Sequence, residues 1–223
     1  MARVAWRPPR QWETDLLRGR VVAAEMSPDE ATRGLAAIVL AAGGASRFGG
    51  PKQLARIGAV SLVRRAAHLA LLSCPAGVVV VTGAWAAAVE KELAGLPLRP
   101  CRNPRWRAGM AGSLRRGLDA LPRAATACLV LLADQPLVDE ADLRRLVAAW
   151  AEAPERVAAA AYDAIRGVPA IFPSAYWRQL RALRGDRGAR AVIASLAQVT
   201  TVALQHAACD IDTLQDLDAV AGR

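Results

Sequence analysis

Residues 38–54 read IVLAAGGASRFGGPKQL. The apolar run Ile38-Val39-Leu40-Ala41 has the length of a buried strand. It empties into a loop holding Gly43, Gly44, Gly49 and Gly50, with Arg47 and Lys52 beside them. Glycine permits backbone conformations and close approaches that a side chain blocks. Backbone N–H groups at such a turn, next to two cations, form a concavity suited to polyphosphate. The same residues would also serve as an ordinary strand-to-helix turn, so the loop has to be weighed against the rest of the chain.

The chain has 223 residues, 54% of them hydrophobic, enough for one sizeable core and a single domain. Residues 35–223 read as that domain and residues 1–34 as an N-terminal extension without sustained periodicity, with one short helix around 13–20. No apolar run approaches the ~20 residues of a membrane span. The arginine-dotted N-terminus has no apolar segment of a secretory signal. Cys74, Cys101, Cys128 and Cys209 are far apart, which suits neither a zinc site nor a disulfide framework, and a cytoplasmic protein with reduced thiols is expected.

A formal charge of +9 invites a nucleic-acid reading. Lys52 and Lys91 are the only lysines, however, so 27 of the 29 basic residues are arginines, and they are scattered rather than clustered. Without a basic block or an aromatic-interleaved stripe, no nucleic-acid partner is expected; small anionic substrates account for the charge equally well. Against that background Lys52 stands out, because a glycine loop that keeps a lysine asks for a compact point charge rather than a planar fork.

Strands are expected at 78–81, near 98–101, at 128–133, 157–162 and 199–204, with helices at 61–73, 85–94, through 121, 139–150, 174–183, 190–196 and to about 220. His68 falls on a polar stripe with Ser61, Arg64 and Arg65 and reads as a solvated helix residue. Residues 167–172 read as a turn plus a strand antiparallel to its neighbour. Acids at 139, 140 and 142 suit a helix N-terminus. The alternation predicts a three-layer α/β domain with a mostly parallel sheet. In such a fold Asp134, halted by Gln135-Pro136, sits at a strand's carboxyl end.

The loop fails the Walker A pattern, since Gly50-Pro51-Lys52-Gln53 follows Gly49 where Lys and Ser/Thr belong. It also misses the dinucleotide fingerprint, and Thr82-Gly83 stands where a ribose-binding acid would follow the second strand. What it resembles is the signature of the molybdenum cofactor cytidylyltransferase-like (MobA/MocA-like) nucleotidyltransferases. The resemblance rests on Leu40-Ala41-Ala42-Gly43, Ser46-Arg47-Phe48-Gly49 and Lys52. Gly109-Met110 with Ser113-Leu114, Ala133-Asp134-Gln135-Pro136 and Asp210-Ile211-Asp212-Thr213 follow in the family's order. Gly167-x-Pro169 and Gly185-Asp186-x-Gly188-Ala189-Arg190 match its cytidylyl branch, as does Ala42 where the guanylyl branch has glycine. Ala45 departs from the pattern at a position that is often serine.

The resemblance implies a Rossmann-like α/β/α nucleotidyltransferase fold and transfer of CMP from CTP to an anionic, pterin-type acceptor. It implies Arg47 and Lys52 as catalytic cations, and nucleotide contacts from Leu40, Ala41, Ala42, Gly43, Gly44, Ser46, Gly49, Gly109 and Ser113. It further implies Mg²⁺ on Asp134 and Asp212, with Asp210 the lesser candidate, and acceptor contacts from Gly167, Asp186 and Arg190. A molybdoenzyme or its maturation chaperone would be the protein partner. Three rivals stand beside it: transfer to another phosphorylated acceptor; an NAD(P)-dependent oxidoreductase, which the missing ribose acid and the retained Lys52 and Asp134 argue against; and a non-catalytic nucleotide-binding or cofactor-delivery protein, which the intact Lys52, Asp134 and Asp212 argue against.

Overall fold

The computed structural model describes residues 32–221. The first strand, β1 (Leu35–Ala41), is buried at every position. A run without alternation is what a strand covered on both faces requires. Its odd-numbered residues join one apolar layer with α1 (Leu62–Ser73), α2 (Ala86–Glu92) and α4 (Glu140–Ala151). Its even-numbered residues join the opposite layer with α3 (Met110–Ala120), α5 (Trp177–Ala182) and α6 (Arg190–Ser195). The result is the expected three-layer α/β/α architecture.

Seven strands form the central sheet in the order β5-β4-β1-β6-β8-β7-β9, where β4 is Val78–Thr82, β5 Arg99–Arg102, β6 Ala127–Leu132, β7 Ala158–Tyr162, β8 Ile165–Pro173 and β9 Thr200–Ala203. β8 runs antiparallel to both neighbours, and the other pairings are parallel. The chain leaves β1 towards β4 and β5 on one side, then crosses back to β6 on the other. That reversal opens a crevice at the carboxyl ends of β1, β4 and β6.

A two-stranded hairpin, β2 (Arg56–Ile57) with β3 (Val60–Ser61), follows the glycine loop. Phe48 of the loop and Ile57 of the hairpin pack on a small cluster made by Leu62, Ile211 and Val220, together with Leu217. Ile211 precedes, and Leu217 and Val220 belong to, the last helix, α7 (Leu214–Ala221). The end of the chain is thereby held beneath the loop that follows β1.

Three expectations need correction or fall outside the description. His68 is 4% exposed rather than solvated, because α1 lays that face against α4. Ser61 of the same stripe is fully buried and caps α1, accepting a hydrogen bond from the Arg64 amide at 3.3 Å. The turn expected at Gly167 lies earlier, at Asp163 and Ala164 (φ 47° and 59°), a two-residue hairpin in the left-handed conformation. Gly167 is therefore inside β8. The short helix at 13–20 and all but the last three residues of the N-terminal extension lie outside the described residues.

Phe172 of β8 has no exposed surface and sits in the layer of α3, α5 and α6. Phe172→Ala should lower the unfolding free energy by about 3–5 kcal/mol, read from the urea midpoint at unchanged m-value.

Candidate active site

The crevice is a cleft of about 520 Å³. Its floor is the end of β1 and the glycine loop, Leu40, Ala41, Ala42, Gly43, Gly44, Ser46, Arg47 and Lys52. Its walls include Trp106, Arg107, Gly109, Met110 and Ser113 on one side and Asp134, Asp210 and Asp212 on another, with Asp186 at the rim between segments. Residues up to 172 apart in sequence meet because of two backbone bonds. The Ala133 amide donates to the Leu40 carbonyl at 3.2 Å, tying the end of β6 to β1, and the Ile211 amide donates to the Asp134 carbonyl at 2.9 Å.

Lys52 is the centre of the charge arrangement. It opens a short 3₁₀ turn, Lys52–Leu54, that points it back under the loop. Its ammonium lies 2.6 Å from Asp134 Oδ2 and 3.1 Å from Asp212 Oδ1, and donates to the Ile211 carbonyl at 2.9 Å. The Lys52 side chain is only 13% exposed. Burial works against its charge, yet Asp134 and then Asp212 outweigh burial and hold its pKa above the ordinary lysine value. The second oxygen of Asp212 meets the exposed Arg47 guanidinium at 3.0 Å. Asp212 does not cap α7; Thr213 does, with Asp216 accepting from the amides of Asp212 and Thr213 at 3.0 and 2.7 Å. The Asp212 carboxylate is thus committed to the cleft.

Two hard carboxylates converging on one point already filled by a positive group form a donor set that suits a divalent cation. A second acid-rich cluster, Asp139, Asp142 and His206, lies outside the cleft. There the buried Asp142 completes the capping box of α4 and binds Arg145 and His206, both at 2.7 Å. The helix-start reading of acids 139 and 142 therefore fits the geometry. Cys74 and Cys128 are buried thiols whose pKa burial pushes up, Cys128 to about 12, so neither is a nucleophile.

Among the cleft residues, Gln53, Trp106 and Arg107 carry no motif in the sequence. Gln53 is 4% exposed and donates from Nε2 to the Gly43 carbonyl at 2.7 Å, holding the loop inward. Trp106 lies so close to Gly44 that a Cβ there would meet its ring, and Arg107 stacks over the indole at 4.5 Å. Gly109 (φ 104°) faces the Gly185 carbonyl where a Cβ would collide, and the Ala111 amide donates to that carbonyl at 3.0 Å. This contact seats the Gly185-Asp186 turn on the start of α3. Ser113 is buried and accepts from Asn103 Nδ2 at 3.0 Å.

Three expected site residues do not line the cleft. Gly49 (φ 78°) serves the turn 45–49, where its amide donates to the Ala45 carbonyl at 3.2 Å. Gly167 packs against the Tyr162 hydroxyl inside the β7–β8 hairpin. Arg190 starts α6 and is exposed.

Asp210 is exposed as a residue, but partial withdrawal of its carboxyl from water, and then the charges of Asp134 and Asp212, push its pKa up to about 6. The folded chain keeps this proton to about pH 6, whereas the unfolded chain releases it near 3.8. Stability conferred by this site therefore falls as pH rises between those values, and the penalty is complete above 6. Asp210→Asn should raise Tm at about pH 7.5 and leave it unchanged near pH 3. An equal Tm shift at both pH values contradicts this origin.

The profile of the MobA-like NTP transferase domain matches residues 37–200. Among solved structures, Rv0371c from Mycobacterium tuberculosis H37Rv is similar at 26% identity and a TM-score of 0.73, over 86% of this chain and 100% of that one. A complex of Rv0371c with manganese is similar at 25% identity and a TM-score of 0.70, over 86% and 100%. A nucleotidyl transferase from Methanothermobacter (Mth528), at 24% identity, shares the fold with a TM-score of 0.71 over 84% and 95%. No curated protein sequence matches the chain. No helix among the described residues is long and apolar enough to cross a membrane. A glycine-loop cleft at a sheet switch point, and a profile match across most of the chain, lead to one assignment: the chain belongs to the MobA-like NTP transferase domain family and is a nucleotidyltransferase.

Proposed function

We propose that the enzyme transfers CMP from CTP to a phosphorylated, pterin-type acceptor of the molybdenum cofactor kind, with release of pyrophosphate. The observation that carries the reading is Lys52, set between Asp134 and Asp212 where the glycine loop meets the end of β6. Such a reaction asks the protein for positioning and charge neutralisation rather than covalent chemistry. A phosphate oxygen of the acceptor attacks the α-phosphorus, the bond to the β-bridging oxygen breaks, and pyrophosphate leaves with that oxygen.

In this account the backbone N–H groups of Gly43, Gly44 and Ser46 wrap the β- and γ-phosphates. Arg47, 74% exposed and paired with Asp212 at 3.0 Å, neutralises the leaving pyrophosphate. Lys52 reaches the transferring phosphate. Asp134 and Asp212 would hold Mg²⁺, which when bound supplies charge neutralisation to the phosphate oxygens. Gly109 and Ser113, beside Leu40, Ala41 and Ala42, form the nucleoside side of the cleft. Asp186, seated there by the Gly109–Gly185 contact, is the acceptor-side residue with the strongest geometric support. Gly167 and Arg190 would contact only an acceptor that extends past the cleft.

Ala42 and the Gly185–Arg190 segment favour the cytidylyl branch. Four free thiols suit the cytoplasmic placement we infer, and delivery to a molybdoenzyme or its chaperone would follow. Incubation with each of the four NTPs, Mg²⁺ and molybdopterin, and in parallel with NADPH in place of the nucleotide, tests the proposal. Pyrophosphate release is expected with CTP above the other three. Release with GTP alone would reassign the branch, and NADPH oxidation without pyrophosphate would reject the transferase chemistry for this acceptor.

A further inference from the structure

The cleft holds three cations, Arg47, Lys52 and Arg107, against four carboxylates, Asp134, Asp186, Asp210 and Asp212. A bare triphosphate therefore meets a site that is not positive on balance. Both oxygens of Asp212 are engaged, one by Lys52 and one by Arg47, and Asp134 is engaged by Lys52 at 2.6 Å. The two groups suited to a cation are thus occupied by the two groups suited to phosphate.

We propose that the Lys52 ammonium is a resident stand-in for the divalent cation, and that it gives up Asp134 and Asp212 efficiently only when cation and nucleotide arrive together. This rests on the nucleotidyltransferase reading of the cleft. A cation arriving alone must displace a side chain 13% exposed and leave its charge with a neutral carbonyl, that of Ile211, in place of two carboxylates, which is costly in a half-buried setting. A nucleotide arriving alone must draw Lys52 away from two carboxylates that then face one another and the phosphates uncompensated. Arriving together, phosphate takes Lys52 and Arg47 while the cation takes Asp134 and Asp212, so every charge changes partner and none is stranded. Because coupling of this kind is reciprocal, each ligand should raise the affinity for the other by the same factor. The cost of Lys52 in the resting site is weaker cation binding; its gain is that the cation and the phosphates are admitted as a unit.

The test is Mn²⁺ binding to the full-length protein without nucleotide, followed by the EPR signal of free Mn²⁺. Lys52→Met is expected to bind Mn²⁺ about tenfold or more tighter than wild type, and the gain is expected to vanish when Asp134→Asn is added. Equal or weaker Mn²⁺ binding by Lys52→Met overturns the proposal. The wild type gives a second readout that needs no variant. Lys52 and Lys91 are the only lysines, so Nζ-¹⁵N-lysine labelling yields two side-chain signals. Mg²⁺ alone should leave the Lys52 signal in place, and Mg²⁺ with a non-hydrolysable CTP analogue should move it. Movement with Mg²⁺ alone at the same concentration overturns the coupling. Tighter Mn²⁺ binding by Lys52→Met without any nucleotide binding would support the stand-in and reject the nucleotide reading. Nucleotide binding with no Mn²⁺ gain would do the reverse.

Discussion

Asp134→Ala is expected to abolish measurable pyrophosphate release, with kcat reduced by at least about 10³-fold, while the protein keeps a cooperative thermal transition. Asp134 stands at the end of β6 with its side chain 23% exposed. Its structural contribution to the chain is made mainly by its backbone: the Asp134 carbonyl accepts from the Ile211 amide, and alanine keeps that bond. Lys52 also retains Asp212 and the Ile211 carbonyl as partners. The fold should survive, and the loss should fall on the carboxylate nearest Lys52, one of the two assigned to the cation. Steady-state pyrophosphate release, paired with a melting curve, measures both halves. Wild-type turnover in this variant would remove Asp134 from the chemistry.

The second large effect concerns Lys52. Lys52→Met should lower kcat by about 10²–10³-fold, with a smaller change in KM for the nucleotide, because the charge is used most fully where negative charge develops. Lys52→Arg should fail to restore activity. The ammonium fits between Asp134, Asp212 and the Ile211 carbonyl within 3.1 Å of each, and a planar guanidinium presents its donors in a wider fork. Arginine activity within tenfold of wild type would show that a point charge is not required.

The parts of this site legible from sequence are those fixed by local chemistry. β1 announces itself as an unbroken apolar run ending in glycines, and proline after Asp134-Gln135 marks where β6 must stop. Lys52 was conspicuous because the chain otherwise uses arginine. The convergence of Asp134 with Asp212 is not legible from spacing, since it depends on an Ile211–Asp134 backbone bond between segments 77 positions apart; what points to it is strand-end position in an open α/β fold together with the family resemblance. Sheet order is hidden for a related reason. Strands covered on both faces carry no alternation, so β1 shows that it is buried without showing its neighbours.

Trp106 and Gln53 escaped for a different reason. Each acts through a contact with a glycine of the loop, Gly44 or Gly43, and such contacts leave no mark in the glycine's own sequence pattern. The glycine count did carry part of that information, since Gly44 is needed where the indole crosses it. His68 misled because a polar stripe on a helix says nothing of a second helix laid over it. Gly49 and Gly167, by contrast, match the family motif yet lie outside the cleft lining. They are required by a turn and by close packing against Tyr162, which a motif match cannot separate from ligand contact.

In the proposed reaction the α-phosphoryl group of the nucleotide moves to the acceptor at this cleft. The direct measurement is incubation of the wild-type enzyme with Mg²⁺, molybdopterin and CTP labelled in parallel reactions at the α- or the γ-phosphate. The α-label should appear on the acceptor and the γ-label in pyrophosphate, in equal amounts, and Asp134→Ala should give neither. Release of the γ-label as orthophosphate, or its transfer to the acceptor, would contradict it.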